Sequence, residues 1–144
     1  MNQKTTDELF QHLSSIRTEK DLKKYTGYLE TVCNYQSFAD YLNAKIIEKG
    51  KSVADVIHTA QIQRNYGYQI LNGSKNPRRN KVIALSLAVN LSLDDTQRAL
   101  TLAGESILYS KNKRDSIIIF SIQKNLSVQE TNELLFEMGE PILQ

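Results

Sequence analysis

Apolar residues recur along this 144-residue chain at the three- and four-residue spacing of amphipathic helices. Leu9, Leu13 and Ile16 fall on one face. Leu22, Tyr25, Leu29 and Val32 share another, as do Phe38, Leu42 and Ile46. No sustained alternation marks a strand, and the single β-branched run, "SIIIFSI", lies between helical-looking neighbours. A Ser or Thr followed three residues later by an acid predicts a capped helix start. It occurs at Thr5–Glu8, Thr18–Asp21, Ser37–Asp40, Ser52–Asp55, Ser92–Asp95 and Ser127–Glu130. Gly50, Gly73, Gly104 and Gly139 each follow an amphipathic stretch, where a left-handed residue ends a helix. Together these signals predict nine helices, at 6–16, 19–33, 38–49, 53–60, 64–72, 79–90, 93–103, 115–125 and 128–138.

Residues 79–108 align without gaps to 114–143, with 12 identities over the 30 positions. Turn residues recur (Asn90/Asn125, Ser92/Ser127, Gly104/Gly139), and so do Arg79/Arg114, Ile83/Ile118, Ser86/Ser121 and Leu100/Leu135. The pattern predicts a duplicated helical hairpin packed on its first copy; two units are too few for a solenoid.

Composition narrows the class. The chain is 40% hydrophobic, with two prolines and six glycines, which fits a folded helical protein. Cys33 is the single cysteine, so an intramolecular disulfide and a cysteine metal site are excluded, and a reducing compartment is expected. "MNQKTTDELF" lacks the apolar segment of a signal peptide and "IIIF" is far short of a membrane span. The expectation is a cytoplasmic protein with no membrane association and no cofactor. No phosphate loop, zinc-protease motif or nucleophile elbow occurs, and His12 and His58 lie far apart in sequence, so no enzyme is expected.

Charge changes the picture. From Val56 to Leu93 there are 38 residues without an Asp or Glu, while Arg64, Lys75, Arg78, Arg79 and Lys81 bring five positive charges. Such a stripe is the footprint of a polyanion site. Within it, residues 52–81 read "SVADVIHTAQIQRNYGYQILNGSKNPRRNK": a capped short helix, a brief turn, a second helix, an Asn-Gly stop and a basic loop.

This segment resembles the helix-turn-helix of the Cro/repressor-like (XRE-type) family, over residues 37–104. The matching features are Ile62 in the turn, Ile70 on the inner face, the Asn72-Gly73 stop, Pro77 and "LSLDD" before the fifth helix. Three positions depart from the family pattern: Gln61 stands at the turn where Gly is usual, Ile57 where a small residue is usual, and Gly67 where a branched apolar one is. Ile57 and Gly67 face each other in this motif. Ile57 is therefore expected to fill the space that Gly67 vacates, which explains a helical glycine costing about 1 kcal/mol.

The resemblance implies an all-α fold: a five-helix repressor-like helix-turn-helix core (37–108), N-terminal helices (1–36) and an added C-terminal αα-hairpin (109–144). It implies sequence-specific binding of double-stranded DNA and transcriptional regulation. The recognition helix would be 64–72, with Gln63, Arg64, Asn65, Tyr68 and Gln69 reading bases. Arg suits guanine, and Asn and Gln suit adenine. Ser52, Asn72, Lys75, Arg78, Arg79 and Lys81 would grip phosphates. Four or five phosphate contacts would give a salt slope near about −4 per subunit. One module has a small footprint, so a homodimer on half-sites about 34 Å apart is expected. Helices 6–33 and 115–138 are the candidate surfaces for dimerisation or a protein partner. Lys111, Lys113 and Arg114 form a second basic cluster, read as a solvated loop. The competing reading is a protein-interaction adaptor, antitoxin-like or defence-associated, that keeps the fold without base readout.

Overall fold

The computed structural model describes the backbone of residues 6–32 and 36–144 and the side chains of 7–26 and 36–144. Thr5 and Cys33, and the side chains of Leu29 and Val32, lie outside the described residues. Among those described there are nine α-helices and no strand: α1 (Thr6–Ser14), α2 (Glu19–Val32), α3 (Phe38–Glu48), α4 (Val53–Thr59), α5 (Arg64–Leu71), α6 (Arg79–Val89), α7 (Leu93–Leu102), α8 (Lys113–Gln123) and α9 (Val128–Glu137). None is long and apolar enough to cross a membrane. The helices fall into two compact units, 1–35 and 36–144.

The first unit is a helical pair. Tyr25 on α2 is buried, its hydroxyl donates to the Leu9 carbonyl at 3.3 Å, and its ring stacks on His12. Phe10, Leu13 and Leu22 are exposed.

The second unit has one continuous apolar core running from Phe38 to Leu143. Its helix ends form where the sequence patterns place them. Ser37, Ser52, Ser92 and Ser127 accept from backbone N–H groups three residues on, and Ser127 with Glu130 closes a full reciprocal cap. Gly50, Gly73, Gly104 and Gly139 all take positive φ, where a side chain would be strained. One start differs: α8 begins at Lys113 because the Asn112 side chain caps it through the Asp115 N–H at 2.9 Å.

The turn between α4 and α5 places Gln61 at φ 59, in the left-handed region. The side chain is exposed and makes no hydrogen bond, so the conformation carries strain of about 1 kcal/mol. The turn nevertheless forms because Ile62 and Ala60, its neighbours, are buried.

The α4–α5 crossing is tight. A Cβ built on Gly67 would stand 2.5 Å from Ile57 Cγ2 and 2.8 Å from Cγ1. Those atoms hang directly from the Ile57 Cβ and cannot swing away as a chain end does. Ile57 is buried and occupies the volume that any residue larger than glycine would need. The expected complementarity of these two positions is present.

The two hairpins α6–α7 and α8–α9 share a set of hydrogen bonds at an offset of 35. Arg79 Nε donates to the Ser106 carbonyl at 3.0 Å, and Arg114 Nε to Pro141 at 2.9 Å. The buried Ser86 and Ser121 hydroxyls each donate 2.8 Å to the carbonyl four residues back. Leu108 N–H donates to Gln97 Oε1, and Leu143 N–H to Asn132 Oδ1. Asn90 and Asn125 both turn through left-handed φ. The copies pack in a two-fold sense: α6 lies on α9 and α7 on α8. Likewise Arg79 reaches Asp115 in the second copy while Arg114 reaches Asn80 in the first, which is the reciprocal pattern of an isologous interface.

Two outcomes are expected. Gly67→Ala lowers stability by about 2 kcal/mol despite its better helix propensity, and costs much less when introduced into an Ile57→Ala chain, a favourable coupling that a urea double-mutant cycle would register. Gln61→Gly raises stability by about 1 kcal/mol in the same assay, because it relieves the left-handed turn.

Candidate nucleic-acid interface

Helix α5 is docked by its inner side. Gly67, Ile70 and Leu71 are buried, and Tyr66 is partly buried against the core. Asn43 on α3 donates to the Leu71 carbonyl at 2.8 Å and to Ala39 at 2.9 Å, tying the end of α5 to α3. The opposite side carries Arg64, Asn65, Tyr68 and Gln69, all exposed, with exposed Gln63 at the start. These are the residues that helical geometry puts on one face. The Arg64 guanidinium lies 5.8 Å from the centre of the Tyr68 ring, a cation–π pair that orders two long side chains in advance of any ligand. Gln63 is partly committed: its Oε1 accepts from the Tyr66 N–H at 2.8 Å and caps α5. Its side-chain NH2 is not used by the cap.

The flanking residues divide. Lys75 and Arg78 are exposed and Lys81 is half-buried, all within the acid-free stretch. The loop that presents them is ordered by its own bonds. Asn72 Oδ1 accepts from the Ser74 N–H at 2.8 Å and from the Ser74 hydroxyl, and Lys75 N–H reaches the Gln69 carbonyl at 3.1 Å. Asn72 thus spends its side-chain carbonyl on the turn, leaving only its NH2 group to donate outward. Ser52 caps α4, accepting from Asp55 N–H at 3.1 Å, and the Asp55 carboxylate beside it opposes a phosphate there.

Arg79 is a correction to the expected phosphate set. Its Nη1 and Nη2 grip the two carboxylate oxygens of Asp115 at 3.0 and 2.9 Å, and its Nε and Nη2 also hold the Ser106 and Ile107 carbonyls. Four donor contacts inside the protein leave no fork to offer a phosphate. Arg114 and Lys113 are likewise structural rather than parts of a solvated loop. Arg114 holds Pro141, Ile142 and Asn80, and Lys113 donates to the Met138 carbonyl at 2.8 Å. Lys111 is exposed.

The charge balance at this seam explains Asp115. Burial, and the Arg79 charge beside it, lower the Arg114 guanidinium from its usual value. Burial pushes the Asp115 carboxyl up, but the bonds from Arg79 and the Tyr109 N–H, with both arginine charges, outweigh it and hold the group below the usual aspartate range. A carboxylate with a depressed pKa contributes stability above its unfolded value and loses it as pH falls through the folded one.

No family model matches the chain, and neither a curated protein nor a solved structure matches it.

Arg79→Ala is expected to cost about 3 kcal/mol, since it strands the buried Asp115 carboxylate. The same change leaves the salt dependence of any nucleic-acid binding unaltered. Asp115→Asn destabilises at neutral pH, and its deficit against wild type shrinks as pH drops below the ordinary aspartate value of 3.8, as urea unfolding across pH would register.

Proposed function

We propose that the chain binds double-stranded DNA in a sequence-specific way and acts as a transcriptional regulator. On this reading α3–α7 form the five-helix core of a Cro/repressor-like domain, α4 and α5 are its helix-turn-helix, and α5 enters the major groove. The observation that supports it is the exposed face of α5, where Arg64, Asn65, Tyr68 and Gln69 stand together and Lys75 and Arg78 continue the surface without an acid in the local sequence.

Each side chain has a role suited to its chemistry. Arg64 donates in parallel to O6 and N7 of a guanine, with Tyr68 holding its plane. Asn65 and Gln69 pair with the N6 and N7 edge of adenine. Gln63 contributes its NH2 group while its carbonyl caps the helix. Lys75, Arg78 and Lys81 contact phosphates and fix register; Asn72 can add its NH2 group, and the Ser52 hydroxyl, beside the Asp55 carboxylate, contributes least. With Arg79 withdrawn, three cations flank α5, so the salt slope is about −3 per subunit, shallower than the value expected from sequence. Two copies on a two-fold site, with half-sites about 34 Å apart, supply the footprint one module lacks.

A binding site selected from random DNA and titrated by fluorescence anisotropy tests this. Arg64→Ala with Asn65→Ala should weaken binding to the selected site by about a hundredfold while leaving weak, salt-sensitive binding to unrelated DNA. Uniform weak binding by wild type, unchanged in the double variant, supports the protein-interaction adaptor instead.

A further inference from the structure

The internal two-fold exposes one face that has lost its cover. In the first hairpin, the side of α6–α7 bearing Leu85, Ala88, Val89 and Ala99 is packed under α3 and α4, and Leu85 is 0% exposed. The covering helix also brings a charge: Lys45 on α3 sits 3.3 Å from Asp95 on α7. The equivalent positions in the second hairpin are Phe120, Gln123, Lys124 and Leu134, with Glu130 at the place of Asp95. Within the second unit no helix covers them: Phe120 is 47% exposed and Met138 45%. Ile117, Phe120, Leu134 and Met138 line an open groove of about 490 Å³ between α8 and α9.

The rims of that groove differ in sign. On the α8 side the Lys124 ammonium lies 5.9 Å from the Phe120 ring, while Lys113 lines the groove but is held within its own chain by the Met138 carbonyl at 2.8 Å and by Glu140 at 3.8 Å. On the α9 side, Glu130 and Glu137 stand four residues before and three after Leu134, so they neighbour it on the helix surface, and both are exposed. One basic rim and one acidic rim around an apolar floor make a surface complementary to itself. A two-fold axis running along the groove lays the α8 of one copy on the α9 of the other. Because α8 and α9 run antiparallel, this sets Lys124 of one copy against Glu130 of the other, whose Oε1 accepts from the Ser127 N–H and whose second oxygen is left for the lysine. The arrangement repeats in trans the α6–α9 and α7–α8 packing that the molecule already uses in cis.

We propose that the α8–α9 groove is the homodimer interface, occupied by the same groove of a second copy. The dimer is the one the DNA-binding reading calls for, and the interface stands or falls on its own evidence.

Sedimentation equilibrium of the full chain, with circular dichroism as the folding control, tests it. Wild type is expected at twice the chain mass. Phe120→Glu is expected at the monomer mass with unchanged helicity, and Leu134→Glu serves where Phe120→Glu fails to fold. Lys124→Glu weakens self-association at least tenfold, and adding Glu130→Lys recovers it. Zero-length coupling of mixed 14N and 15N chains should join Lys124 of one copy to Glu130 of the other. A monomeric wild type overturns the proposal, as does a dimer that survives both glutamate substitutions. Anisotropy on the selected DNA site, run alongside, separates the two readings: a monomer that still discriminates sequence through Arg64 removes this interface and leaves DNA binding standing, and a dimer without discrimination does the reverse.

Discussion

The placement of α5 depends on a missing side chain. Ile57 lies where a Cβ on Gly67 would be, and this contact lets the axes of α4 and α5 approach closely enough for α5 to sit with Ile70 and Leu71 in the core. Close-packed interiors do not absorb an extra methyl at such a point, so the pair works as one unit of volume divided between two residues. The outer face of α5 follows from it. Once the inner face is held by Ile57 and by the Asn43 bond to the Leu71 carbonyl, Arg64, Asn65, Tyr68 and Gln69 have no side to occupy except solvent.

The second organising element is the repeated arginine clasp. Arg79 and Arg114 each bind two carbonyls of the strap that follows their own hairpin, and each reaches across to the other copy. The acceptors differ: Asp115 faces Arg79 and Asn80 faces Arg114. One carboxylate and one amide meet the two guanidiniums directly, and Glu140 adds a further negative charge near Arg114. Asp115, held below the usual aspartate range by its bonds from Arg79 and the Tyr109 N–H, is the group through which acid acts on this interface.

Much of this organisation was legible in the sequence, since it rests on local rules. Helix existence, the serine caps and the glycine stops are decided within four residues of chain, and each formed as the pattern placed it. The offset of 35 was visible as identities, and the Ile57–Gly67 pair as two compensating departures from a family pattern. Arg79 was misread because charge counting treats every exposed-looking arginine alike. Its identity with Arg114 in the repeat was the available signal: an arginine kept in both copies of a hairpin points to a shared packing role rather than to a ligand held by one copy.

By itself, then, the chain determined its helices and the residues carried on the outer side of α5, because backbone bonding and apolar periodicity are short-range, although Leu13 and Leu22 on the expected apolar faces of α1 and α2 are exposed. The tertiary structure alone decided which cations are free and which are spent, for the Arg79 fork closes on Asp115, 36 residues away. It also decided that the two hairpins pair as a two-fold rather than stack, and that within the second unit no helix covers the groove on α8–α9 while its counterpart on α6–α7 is covered. Those outcomes turn on distances between residues far apart in sequence, and spacing along a chain does not encode them.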